Sequence, residues 1–532
     1  MRKLLCVLPI LLIVSMAFGG GMVENTNQSA EQIRMMARGA STDLDAVFFN
    51  PAGLTKLDNG MHLYLSSQTV TQTRTITSDV ASLNSDTFEG TTFAPVFPNF
   101  YFAYKMDKLV LSAGFVPIGG GGSAIFDKGL PSFEAPASVI PSSLSAAGIP
   151  TTAYSTDVEF NGSSTYLGGT AAASYAINDM ISVSVGAHFF SASNTYEGHL
   201  KDIMINPNYP AAGADGTMRS ATAFFTTMAT LLTGGAAQAT GGAAALAPLI
   251  AGGAGDVSFA NLVLGGSLPQ ANVDAIAAGF TALGVPGFNA ATWTPNIASG
   301  AYTAAAAGYT ANAAAMTANA TATQDIEVDA KQTGTGFAPV LGLNISLMDK
   351  LNIGIRYEGK AALELTNETT VDGSGLFTDG DVTNADMPAM LGIGLSYRVI
   401  PALNIALDYN LYMNTGVDWD GKEVNVEDGN EIAVGVEFAL SNSLLLSGGL
   451  LMATSGAQEA YQTDLSYSLN STTIGAGVKY TLNPQMAVTL GFSNTSYEEG
   501  SRDNVVYRGG FTGNETYMKT ATVIALGLQK SF

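Results

Sequence analysis

From residue 402 the chain reads ALNIALDYNLYM. Leu403, Ile405, Leu407, Tyr409, Leu411 and Met413 fall on one side of an extended backbone, and Ala402, Asn404, Ala406, Asp408, Asn410 and Tyr412 on the other. Period-two alternation marks a strand with two different faces. The pattern recurs at Leu351, Ile353, Ile355 and Tyr357, at Met486, Val488, Leu490 and Phe492, and at Ile181, Val183, Val185 and Phe189. Only 12% of the 532 residues are charged and 60 are glycine, which suits a membrane protein. Yet past residue 20 no run of about twenty apolar residues reads as a spanning helix. The nearest, 236–255, is mostly Ala and Gly. An apolar chain without such helices can satisfy its backbone in lipid by closing into a β-barrel.

The alternating segments pair across short turns at 106–108, 177–179, 348–350, 399–401, 441–443 and 483–485, with longer polar stretches between pairs. With a first strand near 62–75 and a last near 517–532, the count comes to about fourteen. A soluble β-sandwich also alternates. Here, however, the apolar face repeats along the whole chain. Aromatics such as Tyr104, Tyr397, Tyr409, Tyr412 and Tyr480 also mark strand ends, where interfacial girdles would lie. The expected fold class is all-β: a transmembrane antiparallel β-barrel of about 14 strands, with a periplasmic N-terminal hatch in the lumen and an Ala-rich helical insertion outside. The alternating last strand ends in Phe532 and resembles the signal read by barrel-insertion machinery. That machinery and outer-membrane lipid are the expected partners, and the chain is expected to act as a monomer in the outer membrane of a Gram-negative bacterium.

The expected domains are a signal peptide at 1–19, a hatch at 20–59 and the barrel at 60–532. The first reads MRKLLCVLPILLIVSMAFG, with Arg2 and Lys3 before an apolar stretch that contains Cys6. Within the barrel, 201–324 breaks the alternation. It is dominated by Ala, Gly and Thr, with helical signals at 229–232, 270–283 and 301–321. It reads as a cap of short helices over the mouth or as an apolar surface that gathers ligand. A net charge of −22 makes nucleic acid a poor partner. Asp418, Asp420, Glu423, Glu427 and Asp428 read as a solvated loop. His62, His188 and His199 are the three histidines, and none has metal-ligand spacing or a Ser/His/Asp setting. No enzyme, catalytic residue, metal or cofactor is therefore expected. Arg356, Glu358 and Asp408 fall on the lumen face, as a polar network.

Before the first strand stands NTNQSAEQIRMMARGASTDLDAVFFNPAGL. It has no strand to join. Its apolar residues Ile33, Met36, Phe48 and Phe49, together with Met35 and Val47, can fill the lumen. Asn50, Pro51, Ala52 and Gly53 form a turn that holds the plug. Pro51 keeps Asn50 out of the helical region, and Gly53 is expected to let the chain reverse.

That stretch, with PNFYFAYKMDKLVLSAGFVPIGG, FAPVLGLNISLMDKLNIGIRYEGK and DMPAMLGIGLSYRVIPALNIALDYN, resembles the long-chain fatty-acid transporter family of outer-membrane proteins, which includes toluene and xylene channels. The resemblance spans nearly the whole chain after the leader, with Asn50, Pro51 and Ala52 on the hatch motif. The Ala-rich insertion departs from it. The resemblance implies passive uptake of hydrophobic molecules, most of all long-chain fatty acids. Ligand would be captured outside, pass to a pocket against the hatch, and leave sideways through an inward kink in the third strand. Here that strand is 109–117, with Gly114 and Phe115 at the expected opening and glycines at 119–122. Alternatives are an aromatic-hydrocarbon channel of the same family, an adhesion or binding barrel that moves nothing, and an open porin.

Overall fold

The computed structural model describes residues 29–348, 350–507 and 510–532; the expected signal peptide and the first residues of the hatch lie outside them. Fourteen strands close into one antiparallel barrel. They are β1 (Gly60–Ser78), β2 (Thr87–Met106), β3 (Leu109–Phe126), β4 (Tyr154–Ala176), β5 (Ile181–Ile205), β6 (Ile326–Leu347) and β7 (Leu351–Glu358, resuming at Glu364–Asp372). There follow β8 (Val382–Asn384, then Ala389–Ile400), β9 (Leu403–Met413), β10 (Gly429–Ala439), β11 (Leu444–Thr454), β12 (Ser471–Asn483), β13 (Met486–Tyr497, with Gly500–Val506 beyond a break) and β14 (Thr512–Ser531). Each strand pairs with the next, and β14 returns to β1 with His62 opposite Ser531 and Ser78 opposite Glu515. Closure removes the sheet edges that lipid would otherwise face, save along a stretch between β2 and β3. The wall is uneven: β4 and β5 run 23 and 25 residues, while β9, β10 and β11 run 11 each.

The alternation places its apolar row outward. Leu65, Leu341, Ile405, Val434, Ile474, Leu490 and Leu526 are all exposed. So large an apolar band suits hydrocarbon rather than water. Tyr104, Tyr175, Tyr397, Phe438, Tyr480 and Phe532 stand exposed beside the short turns and form one aromatic girdle. Tyr412 does not belong to a girdle. It faces the lumen, where its hydroxyl donates to Glu431 at 3.0 Å.

Two short helices, α1 (Ala30–Arg34) and α2 (Ala46–Phe49), lie within the lumen, and α3 (Pro131–Ser138) and α4 (Ile140–Ala146) lie between β3 and β4. The insertion between β5 and β6 is not a set of short helices. It is a hairpin of two long ones, α5 (Ala221–Leu249) and α8 (Pro295–Ala322), joined through α6 (Phe259–Leu264) and α7 (Gln270–Ala282). At 1.5 Å per residue each long helix measures about 42 Å. Their seam matches tyrosines to glycines: a Cβ at Gly235 would meet the Tyr309 ring at 2.9 Å, and one at Gly242 the Tyr302 ring at 2.7 Å. The tyrosine hydroxyls reach past the seam to Leu283 O at 3.0 Å and Ile276 O at 3.2 Å. The base packs Phe224, Phe225 and Met228 against Ile203 and Ile205 of β5. The tip has its own core, in which the Phe280 and Tyr302 rings stack at 4.0 Å.

Candidate functional site

The N-terminal segment fills the lumen through charge. Ser29 caps α1 by accepting from Gln32 N at 3.2 Å, and the next two amides donate to Ser66 Oγ and Tyr64 Oη on β1. Arg34, fully buried, joins Glu31 at 2.5 Å to Glu437 of β10 at 2.6 Å. Glu31 also faces Lys479 of β12 at 3.2 Å and accepts from Thr489 of β13 at 2.7 Å. Burial raises the Glu31 carboxyl, but Arg34 and then Lys479 outweigh it and hold it at about 2. Arg38 pairs with Asp45 at 2.6 Å inside the hatch. Buried ions of this kind persist only where each finds a partner.

The Asn-Pro-Ala-Gly stretch lies beneath β4, β5 and β6. Asn50 is extended (φ −163°), as the following proline requires. Its side chain donates to Leu343 O at 3.0 Å and accepts from Ala52 N at 3.3 Å. Pro51 O accepts from Ser174 Oγ at 2.7 Å and Ala52 O from Ser182 Oγ at 2.8 Å. Pro51–Lys56 is one stretch of 3₁₀ helix. Gly53 therefore does not reverse the chain, and its φ is not positive. It is glycine because a Cβ would strike the Ser41 carbonyl.

Glycine also lets the hatch backbone approach the wall. A Cβ at Gly354 of β7 or Gly394 of β8 would collide with the Gly39–Ala40 backbone. At Gly449 of β11 it would come within 2.8 Å of Met36 N, and at Gly491 of β13 within 2.9 Å of Ile33. Sequence reasoning missed this row. Its signal was glycine at inward positions of several strands.

Phe48 packs against His188, stacked at 5.4 Å and 11°, and against the neighbouring Arg356 guanidinium, 4.9 Å from its ring centre. Phe49 meets it edge-on at 5.4 Å. Arg356 pairs with Glu358, which also bonds His188 Nδ1 at 2.9 Å. Asp408 stands apart from that triad and accepts from Gly39 N of the hatch at 2.7 Å. Met36, Phe48, Phe49, His188 and Arg356 line an inner cavity of about 110 Å³.

The wall itself is broken beside this region. β2 and β3 pair from Met106–Leu109 to Phe100–Phe115, and again only at Thr91–Ile125. Between these points residues 92–99 and 116–124 share no ladder, although β3 still pairs with β4 through two register shifts around Gly119. The cause is local. Pro95, Pro98 and Pro117 carry no N–H for a ladder. Gly120 and Gly122 adopt φ of 91° and 69°, outside strand geometry. Gly114 is paired on both sides, and Phe115 is the last paired residue before the gap. The glycine run hinted at the break from sequence. The prolines on β2 were the overlooked half of the signal, and β3 runs on to Phe126 instead of ending at 117.

A second cavity, about 210 Å³, connects hatch and gap. Ile33 and Met36 line one side, Thr92, Ala94, Phe97 and Gly120–Gly122 the other. It shares Gln32, Met36, Glu431 and Leu451 with the inner cavity. A third, about 370 Å³, sits at the long-loop end among Phe133, Ile140, Phe160, Ile203, Leu376 and Phe377. From the hairpin only Ala322 and Thr323, at its base, line it.

No family model and no curated protein matches the chain. Solved structures do. A Pseudomonas aeruginosa FadL homologue superimposes with a TM-score of 0.57 at 13% identity, over 97% of this chain and 100% of that one. The Pseudomonas putida toluene transporter TodX gives 0.52 at 14%, over 96% and 100%. At such identities the likeness is one of architecture. The chain therefore has the fold of the FadL homologue and TodX: a closed fourteen-stranded barrel, here with its N-terminal segment lodged in the lumen.

Proposed function

We propose that this protein is a passive outer-membrane channel for hydrophobic molecules, with long-chain fatty acids first and aromatic hydrocarbons second among its substrates. The observation that carries the reading is the cavity between the hatch and the unpaired stretch of β2 and β3. A solute there has apolar contacts on one side and lipid beyond the other. Sideways exit spares an apolar molecule a second passage through water, where its transfer is unfavourable. On this reading the cavity at the long-loop end receives ligand, and Ile33, Met36, Phe48 and Phe49 line the two cavities against the hatch to which it passes. Asn50, Pro51, Ala52 and Gly53 fix the hatch, and Gly114 and Phe115 border the exit. The Arg356–Glu358 pair steadies the lumen, and Asp408 the hatch.

Labelled oleate and labelled toluene are offered separately to cells that lack their own transporter and express this chain. Oleate uptake above the empty-vector rate is expected. Asn50→Ala, at equal surface expression, should lower it several-fold, since removing a buried bridging amide costs about 1–2 kcal/mol. Uptake of neither solute would overturn the channel reading in favour of a binding barrel.

A further inference from the structure

Between β11 and β12, residues 462–470 follow a turn of 3₁₀ helix at Glu459–Tyr461 and belong to no strand. The segment folds over on itself. Gln462 closes the fold: its side-chain amide donates to Ser468 O at 2.8 Å and accepts from Ser468 N at 2.9 Å. Inside that clamp Thr463 N donates to Ser466 O at 3.0 Å, and Ser466 N to Thr463 O at 3.2 Å. Its two sides meet different cavities. Thr463, Asp464 and Leu465 line the cavity at the long-loop end, whereas Tyr467, Ser468 and Leu469 line the one between hatch and gap. Among the described residues these two cavities share no lining residue. Tyr467 and Leu469 are buried in one cluster with Phe160 and Tyr517, and Phe160 lines the cavity at the long-loop end. The cluster thus stands between the two spaces, and the folded segment supplies part of it.

A wall strand is laddered to its neighbours along its length. This segment is bonded outward at single points: Ser132 N of α3 donates to Asp464 Oδ2 at 2.9 Å, Arg502 of β13 to Gln462 O at 2.7 Å, and the Tyr467 hydroxyl to Met518 O of β14 at 2.8 Å. Segments held in this way open at lower free energy than laddered strands. The bond to α3 lies at the entrance, since Ser132, Phe133, Asp464 and Leu465 all line the cavity at the long-loop end. Solute that wedges between α3 and the segment competes with that bond. We propose that residues 462–470 are a gate between the cavity at the long-loop end and the one beside the gap, with Tyr467 and Leu469 as its closing face. Displacing it joins the two cavities into one longer trough, to which a hydrophobic solute binds better, and a ligand shifts an equilibrium only through such a difference. This rests on the reading of the lumen as a path for hydrophobic solutes, and makes that path stepwise.

The test ties the segment to α3. In a Cys6→Ser background, the Ser132→Cys/Asp464→Cys variant is expressed in cells that lack their own transporter, and its two thiols are joined by a short, reducible bis-methanethiosulfonate. Uptake of labelled oleate and labelled toluene is measured with the link in place and again after reduction, linkage being read by mass. The linked protein should take up whichever solute wild type carries about tenfold or more slowly than the reduced protein, as expected of a lid held shut. Capping both thiols with methyl methanethiosulfonate, which bridges nothing, should leave uptake well above the linked rate. Equal rates at full linkage, or an equal loss on capping, overturn the gate and leave the channel reading intact. Should the link not form, Tyr467→Ala/Leu469→Ala decides, its folding checked by heat-modifiable gel mobility. Uptake about twofold or more above wild type at equal surface expression supports the gate, and unchanged or slower uptake overturns it. Uptake of neither solute by wild type removes both readings.

Discussion

Residues 29–59, inside the barrel, carry Glu31, Arg34, Arg38, Asp43, Asp45, Lys56 and Asp58, whereas residues 221–324, outside it, carry only Asp256 and Asp274. The hatch is held to β10, β12 and β13 by buried ions and to β4, β5 and β6 by hydroxyl and amide bonds. The hairpin is held mainly to itself, by tyrosine rings over glycines and by a tip core of aromatic residues. Ion pairs have directional partners, so they fix one docked position. Shape packing along a uniform Ala and Gly surface stabilises a helix pair but ties it to the barrel only at its base. The hatch is thus built to occupy one place beside the gap, and the hairpin is built as a separable unit.

Arg38→Ala breaks the comparison most forcefully. It leaves Asp45 buried without its guanidinium, a loss of about 3–5 kcal/mol. The hatch should leave its seat while the barrel stays closed, read as ion conductance in planar bilayers that wild type lacks. Acid acts next. Glu31 titrates at about 2 in the folded protein against 4.5 ordinarily, so the stabilisation it provides is complete above pH 4.5 and fades as pH falls toward 2. The loss reaches up to about 3 kcal/mol. Hatch-specific proteolysis should therefore increase below pH 4, with no matching change in the hairpin, which has only two titratable carboxylates. Tyr302→Phe, the smallest change, removes the bond to Ile276 O and should cost about 1 kcal/mol. Amide exchange at the tip should quicken while solute uptake stays the same. A fall in uptake would couple the hairpin to transport and erase the distinction.

The barrel was legible because its rule is local. Alternation at 351–357 or 403–413 is readable from a dozen residues, and short turns mark one end. The insertion was legible only as helical. Its periodicity is blurred because Ala and Gly carry little contrast, so the long helices at Ala221–Leu249 and Pro295–Ala322 surfaced as fragments at 229–232 and 301–321. The site was legible in part. Asn50 is extended before Pro51, as proline geometry suggested, but Gly53 is small for a neighbour 12 residues earlier, which no local rule reports. Arg356 and Glu358 do pair, whereas Asp408 turned to a glycine amide 369 residues away. The unpaired stretch required prolines on one strand and glycines on the next to be read together, and only closure of the barrel brings them side by side.

The central claim is that solute leaves between β2 and β3. Gly121 lines the cavity there, its φ is not positive, and a Cβ would meet only Gln72 Nε2 at 3.6 Å, so Gly121→Cys should fold. Cys6 is the chain's single cysteine, so a Cys6→Ser background makes the new thiol unique. Uptake of labelled oleate, or of toluene should that prove the substrate, is measured before and after modification with a bulky maleimide. The account predicts normal uptake by the free thiol and near-complete loss once the gap is filled. Unchanged uptake at full modification would place the exit elsewhere.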